Sequence, residues 1–204
     1  TTGVPAHSAN PEKGVNAVKK MMALLQEVEK LVPGEQPELG RGILEVTDII
    51  SHPYPGASVV PERCVATLDR RLLVGEMPGS VLGPLEEIIG RLKERDPAFS
   101  AKAYLRAETK ACYTGSEISA ERFFPAWLFH REEPFVKNAY ESLRGVGLAP
   151  EIATYSFCTN GSHYAGRRAS ARWASAPRRR RWPTRWTSIL RSSSWRKPPG
   201  ATLP

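Results

Sequence analysis

The chain has 204 residues, with 29 Lys and Arg against 21 Asp and Glu, a formal net charge of +8 and 41% hydrophobic residues. Its length accommodates one domain of about 100 residues plus part of another, and no apolar run of about 18 residues is present to cross a membrane as a helix. The positive charge is local: Arg167–Pro204 holds ten Arg, one Lys, four of the five Trp and no acidic residue, leaving 18 positive and 21 negative charges in the first 166 residues. A nucleic-acid or membrane partner inferred from charge would rest on that segment alone.

In chain order, Thr1 falls inside what reads as a structured segment, with no Met or signal peptide before it, so the start reads as a truncation. Asn10-Pro11-Glu12 predicts a helix start, because Asn accepts amide hydrogen bonds and Pro tolerates the first turn. Val18, Met21, Met22, Leu25, Val28 and Val32 then recur at helical spacing until Pro33-Gly34. Gly42–Ile50 and Arg63–Leu73 read as strands separated by the turn-forming His52-Pro53-Tyr54-Pro55-Gly56. A second helix follows Pro78-Gly79-Ser80, with Leu82, Leu85, Ile88, Ile89 and Leu92 on one face, and Phe99–Leu105 alternates as a last strand. With a strand expected at the start, the order is βαββαβ, a ferredoxin-like α+β domain over 1–106.

Residues 107–166 hold an aromatic loop at Phe123-Phe124-Pro125-Ala126-Trp127, a helix over Glu133–Leu143 and a strand over Glu151–Phe157 running into a polar turn. These elements cannot close a core alone, so they read as an incomplete part of a larger α/β domain.

The tail, 167–204, has no apolar period and reads as GC-rich DNA translated out of frame. Because Trp has a single codon, Trp182–Ile189 fixes many bases. Reading one base earlier forces Ala and Asp at two places and permits Met-Ala-His-Thr-Val-Asp-Glu-Tyr. The same shift over Arg172–Pro177 permits Thr-Val-Gly-Phe-Gly-Pro, and over Leu190–Trp195 it permits Ile-Glu-Val-Glu-Gln-Leu. A frameshift near Gly166-Arg167 is therefore expected, with a disordered tail. A nucleic-acid-binding arm is the competing reading.

Three widely spaced cysteines, Cys64, Cys112 and Cys158, read as reduced thiols of a cytoplasmic protein. The histidines His7, His52, His130 and His163 show no metal-ligand spacing. His7 lies among small residues and Pro between a strand and a helix start, where an imidazole could donate to a substrate oxyanion or simply cap a turn. Arg71 alternates with Arg70 on a strand. It suits either an ion pair with Asp69 or a neighbour, or a clamp on a substrate carboxylate.

Gly3-x-x-Ala6-His7-Ser8-x-x-Pro11-x-x-Gly14-x-Asn16-Ala17, with Val60-Pro61, Leu68-Asp69-x-Arg71-Leu72 and Gly75-Glu76, resembles the dimerisation (lid) domain of the ArgE/DapE/carboxypeptidase-G-type zinc metallohydrolases. Tyr113-Thr114-Gly115, Pro125-Ala126-Trp127 and Thr159-Asn160-Gly161 point to its selenium-metabolism-linked branch, and the likeness covers 1–166.

The resemblance implies a homodimeric, dizinc hydrolase of N-acyl amino acids or small peptides. His7 would match a lid histidine that reaches across the dimer to the oxyanion, and Arg71 a lid arginine holding the substrate carboxylate. Ser58 stands where many members have Asn, and Thr159-Asn160-Gly161 where the active-site turn has Asp in the middle. The family's zinc ligands and general base fall outside the resembling residues, so the chain alone is expected to bind no zinc and to be inactive. A stand-alone dimerisation module is the alternative.

Overall fold

The computed structural model describes residues 1–154, 157–159, 161–167 and 190–192. After the extended residues Thr1–Gly3, the elements are a 3-10 turn at Pro11–Lys13, α1 (Ala17–Val28), β1 (Glu35–Gln36), β2 (Gly40–Arg41), β3 (Ile43–His52), β4 (Arg63–Arg71) and α2 (Pro78–Arg95). They continue with β5 (Ala107–Ala111), β6 (Glu117–Glu121), α3 (Pro134–Gly145), β7 (Pro150–Ile152), a π-helical turn at Ser162–Gly166 and β8 (Leu190–Ser192).

β3 and β4 pair antiparallel from Ile43 opposite Arg71 to His52 opposite Arg63, with an irregularity between Val46 and Asp48. Thr2 bridges Arg63 on one side and Ser100 on the other, both antiparallel. The strand order is therefore β3, β4, Thr1–Gly3, Ser100. Numbering these four as second, third, first and last gives the 4-1-3-2 arrangement of the ferredoxin-like α+β fold expected from the sequence.

α1 begins at Ala17, seven residues after the expected Asn10, because the Asn16 side chain accepts from the amides of Val18 and Lys19. Pro11–Lys13 forms only one 3-10 turn, and Gly14 follows in an extended conformation. The last strand also departs from expectation. Phe99–Leu105 keeps alternating burial, but only Ser100 pairs, since the neighbouring extended segment offers a partner only at Thr2.

Both helices cover one face of this sheet. Ala17, Met21 and Cys64 form one buried cluster, against which Val18, Leu25 and Ala66 pack. Val28, Leu85 and Ile88 form a second, closed by Leu44, Leu68 and Ala103. Each large side chain so buried contributes about 1.5–3 kcal/mol. Burial also pushes the Cys64 thiol pKa up, as expected for a structural thiol. Lys20 on α1 pairs with Asp96 just beyond α2, tying the helices together at the surface.

Residues beyond 105 are organised differently. β5 and β6 form a hairpin of exposed and half-buried residues, turning through Gly115 at φ +82°. Its strands lack apolar alternation, so sequence pattern alone gave them no signal. α3 begins at Pro134 and buries Val136, while Phe129 and Phe135 meet edge to face at 4.8 Å. β7 covers only the first part of the expected Glu151–Phe157 strand and pairs with β8. Apart from Arg167 and Leu190–Ser192, the tail lies outside the described residues, and so does the expectation of its disorder. Among the described residues no helix is long and apolar enough to cross a membrane.

Candidate functional site

The loop carrying His7 is held by close backbone approaches. Val4 and Val15 exchange two amide hydrogen bonds of 2.9 Å. A Cβ on Gly3 would sit 2.0 Å from the Val15 carbonyl oxygen, and one on Gly14 would sit 2.6 Å from that of Val4. Only glycine fits at either place. The two motif glycines thus bring the chain before α1 against itself and fix where His7 emerges.

His7 pairs antiparallel with Val59, flanked by Val60 N–H to the Ala6 carbonyl at 2.8 Å and Ser8 N–H to the Ser58 carbonyl at 3.0 Å. The structure thus brings His7 and Ser58 together from positions 51 residues apart. The Ala9 amide donates to His7 Nδ1 at 3.1 Å. In the neutral ring this leaves the proton on Nε2, so an exposed imidazole presents a donor outward.

Ser58 has φ 56°, in the left-handed region where Asn is enriched over most other side chains. The preference for Asn at the matching place in the resembling family therefore has a local backbone reason.

Arg71 closes β4. Its Nη2 lies 3.0 Å from Asp69 Oδ2, with both side chains about half exposed. Such a pair contributes at most about 1 kcal/mol and leaves the guanidinium available. Arg70, on the other face, pairs with Glu76, whose second oxygen accepts the Leu73 amide at 2.7 Å. The Gln36 side-chain amide both donates to and accepts from Val74, at 2.9 and 3.1 Å. Arg70 and Glu76 thus fix the turn after β4, a structural role that the bare motif did not reveal.

His7 and Arg71 are not neighbours within one chain. His7 sits by the Arg63 end of β4, and the eight steps from Arg63 to Arg71 span about 26 Å at about 3.3 Å per residue.

The second group of motif residues does converge. The Gly161 backbone lies against the Trp127 ring so closely that a Cβ would be 2.4 Å from Cζ2. Buried Ser162 donates through Oγ to the Pro125 carbonyl at 2.7 Å. The Thr159 hydroxyl accepts the Gly161 amide at 3.2 Å, and its carbonyl accepts Ser162 N–H at 3.0 Å. Pro125-Ala126-Trp127 is therefore the platform on which the turn entering Ser162–Gly166 rests. Asn160 lies outside the described residues.

Among the described residues no group of three or more His, Cys, Asp or Glu side chains could hold a metal ion. The described residues by themselves therefore supply no dizinc centre.

Residues 1–97 match the family model described as the peptidase dimerisation domain. The YgeY proteins of Escherichia coli K12 and of E. coli O157:H7 are each 34% identical over 172 residues, covering 81% of this chain and 40% of YgeY. The chain thus spans about two fifths of the length of these curated relatives. The crystal structure of aminopeptidase PepT from Bacillus cereus ATCC 10987 superposes with a TM-score of 0.53 at 15% identity, over 79% of this chain and 37% of that one, a likeness of fold. Residues 1–97 thus form a peptidase dimerisation domain of the M20 type, and this match together with the identity to YgeY supports placing the chain with the M20 metallopeptidases, a generally metal-dependent family.

Proposed function

We propose that residues 1–106 act as the lid of a homodimeric, metal-dependent hydrolase that cleaves the amide bond of N-acyl amino acids or small peptides. Residues 107–166 then belong to its catalytic domain. The observation that carries this reading is the exposed His7, whose Nδ1 is occupied by the Ala9 amide, leaving Nε2 as the ring's other nitrogen, and whose backbone is held against the Ser58–Val60 segment. A fixed N–H donor aimed where negative charge develops stabilises a tetrahedral oxyanion without reorganisation at the moment of reaction. Arg71 suits the recognition of substrate, because a half-exposed guanidinium, lightly held by Asp69, can exchange that partner for a substrate carboxylate in two parallel hydrogen bonds. Zinc, when bound by residues other than those described, would supply the polarising charge and activated water. Thr159-Asn160-Gly161 is assigned to the substrate-facing turn.

The separation of His7 from Arg71 supports a dimeric site. β3 is the outer strand of the sheet, with Ile43, Ile49 and Ile50 exposed. Two-fold antiparallel pairing of β3 with its copy would bring the partner subunit's Arg71 to the end of the joined sheet that holds His7. With strands about 4.8 Å apart, the two β4 strands would then lie about 14 Å from one another. One protomer would supply the oxyanion donor and the other the carboxylate clamp.

On this reading the chain alone is inactive, located in the cytoplasm and without a nucleic-acid partner, and 167–204 is the product of a shifted frame. Resequencing the gene around Gly166 checks the last point: a frame confirmed as it stands rejects it. The function is tested by placing residues 1–97 in the corresponding position of E. coli YgeY and assaying hydrolysis of N-acyl amino acids and dipeptides. His7→Ala should reduce turnover by about 10²–10³, the usual cost of losing an oxyanion donor, without unfolding the lid. Equal turnover by the parent chimera and the variant would reject the role of His7. Analytical ultracentrifugation of the 204-residue chain should give a dimer that Ile49→Lys dissociates. A persistent monomer would count against β3 pairing.

A further inference from the structure

Between α1 and β3 the chain doubles back as a short hairpin before it enters the sheet. Glu35 pairs with Arg41 and Gln36 with Gly40, and across the base the Gly42 amide donates to the Gly34 carbonyl at 2.9 Å. Pro37-Glu38-Leu39 forms the tip. Pro fixes one φ there, and Gly40, at φ +72°, supplies the left-handed residue that brings the chain back. A hairpin this small does not hold itself in water. The lid clamps it at its base instead. The Gln36 side-chain amide donates to the Val74 carbonyl at 2.9 Å and accepts the Val74 amide at 3.1 Å. Val74 lies in the turn after β4, where Glu76 takes the Leu73 amide and pairs with Arg70. The end of β4 that bears Arg71 thus carries the hairpin and sets where its tip lies.

The tip touches the second region of the molecule. The Thr154 hydroxyl donates to the Glu38 carbonyl at 2.9 Å, across 116 positions of sequence. Leu39, next to that carbonyl, is half-buried and lines one cavity with Ala153 and Thr154. Thr154 follows β7 and stands five residues before Thr159. Thr159 holds the turn seated on Trp127: its hydroxyl accepts the Gly161 amide and its carbonyl accepts the Ser162 amide. An exposed hydroxyl exchanges a carbonyl for water at little net cost, so this hydrogen bond on a free loop would carry no coupling. Here the acceptor is presented by a hairpin fixed to β4, and the donor lies on the segment that runs into the turn.

We propose that the hairpin of residues 34–42 is a strap that couples the lid sheet to the turn at 159–162 through the contact of Glu38 with Thr154. The contacts run in series from the Arg70–Glu76 pair to Val74, from Val74 through Gln36 to the hairpin tip, and from Glu38 through Thr154 to Thr159. Arg71 at one end and the turn at the other are the two places assigned above to the substrate. That meaning of the strap rests on the hydrolase reading, whereas the coupling is a property of the chain itself. Coupling acts in both directions: loosening the hairpin inside the lid loosens the turn, and removing the contact at Thr154 loosens the hairpin.

The test is hydrogen exchange of the 204-residue chain, read at the Gly42 amide in the hairpin and at the Ser162 amide in the turn. Thr154→Val keeps the side-chain shape and removes the donor. It should speed exchange at both amides by about threefold to tenfold, the weight of one neutral hydrogen bond. Gln36→Ala lies wholly inside the lid and should speed exchange at Ser162 as well as at Gly42. Thr154→Ser retains the hydroxyl and should keep the parent rates. Thr114→Val, which removes an exposed hydroxyl bonded to Ser116, should change neither amide. These readouts need neither substrate nor metal, so they decide the strap separately from the roles of His7 and Arg71. Three results would overturn the proposal: Ser162 exchange unmoved by Gln36→Ala, Gly42 exchange unmoved by Thr154→Val, or an equal effect from Thr114→Val.

Discussion

Residues 1–105 and residues 106–167 are built on different physical terms. In the first region two amphipathic helices lie on one face of a sheet, and among the described residues nine of the ten buried hydrophobic side chains of the core belong to it. In the second, Val136 is the tenth, and the buried Ser162 is polar. The first region binds its ends through long-range backbone pairing, such as Thr2 to Ser100 and Cys64 to Thr1. The second is held by local turns, one exposed hairpin and the seat of Gly161 on Trp127. An isolated two-stranded hairpin is marginal in water. The contrast teaches that the lid carries its own core, whereas the later residues borrow order from few contacts.

The largest effect that would break this comparison is expected at Ile88, which is 1% exposed between α1 and β4. Ile88→Ala should cost about 2–5 kcal/mol in urea unfolding of the full chain. Ile118→Ala in the hairpin, at a site 61% exposed, should stay within about 0.5 kcal/mol. Similar costs at the two sites would remove the distinction between the regions.

Next comes Gly161→Ala. The new methyl would collide with the Trp127 ring, costing about 1–3 kcal/mol of local packing. Limited proteolysis should then cut faster within residues 125–129, while the urea midpoint of the lid holds still. A drop in that midpoint would mean that the two regions share one cooperative unit.

A smaller effect, of opposite sign, is expected at Ser58→Asn. The φ of 56° costs a non-glycine residue about 1–2 kcal/mol, part of which Asn recovers. The melting temperature should rise, and an unchanged or lower value would contradict the local account of Asn at this position.

The smallest effects are on pH dependence, and both belong to the lid. The Thr1 α-ammonium has its folded pKa lowered by burial, so protonation favours the unfolded chain. Stability should fall as pH drops from about 8, the ordinary amino-terminal value, through the lower folded one. Acetylating Thr1 should abolish that limb of a Tm-versus-pH curve. Asp96 goes the other way: its hydrogen bond from Lys20 holds its carboxyl below the usual range, so its contribution is present at neutral pH and lost as pH falls through the folded value. Asp96→Asn should flatten the acid limb. A curve that does not respond to either change would dissociate both groups from lid stability.

The lid is largely legible in the sequence. The spacing of Val18, Met21, Leu25 and Val28 predicts α1, and Leu85, Ile88 and Leu92 predict α2, because amphipathic periods require a partner face. The start of α1 is not, since Asn10-Pro11 and Asn16-Ala17 both look like caps, and only the amides of Val18 and Lys19 choose between them. The candidate site is legible as residue types but not as an arrangement. Nothing in the spacing of Arg71 tells that it lies at the opposite end of β4 from His7 and Ser58. The β5–β6 hairpin is unreadable because its strands carry no apolar face to imprint a period.

By itself the sequence determined the βαββαβ order and the chemical identities of His7, Ser58 and Arg71, since periodicity and side-chain chemistry are local properties of the chain. The M20 family motifs were legible there too, and the matches to the peptidase dimerisation domain and to YgeY support them. Tertiary structure alone decided which residues meet. It joined His7 to Ser58 and Gly161 to Trp127, and set Arg70 to hold the turn after β4. The reason is physical: strand pairing and ring packing act between residues distant in sequence, where register and the space left by neighbours determine the outcome.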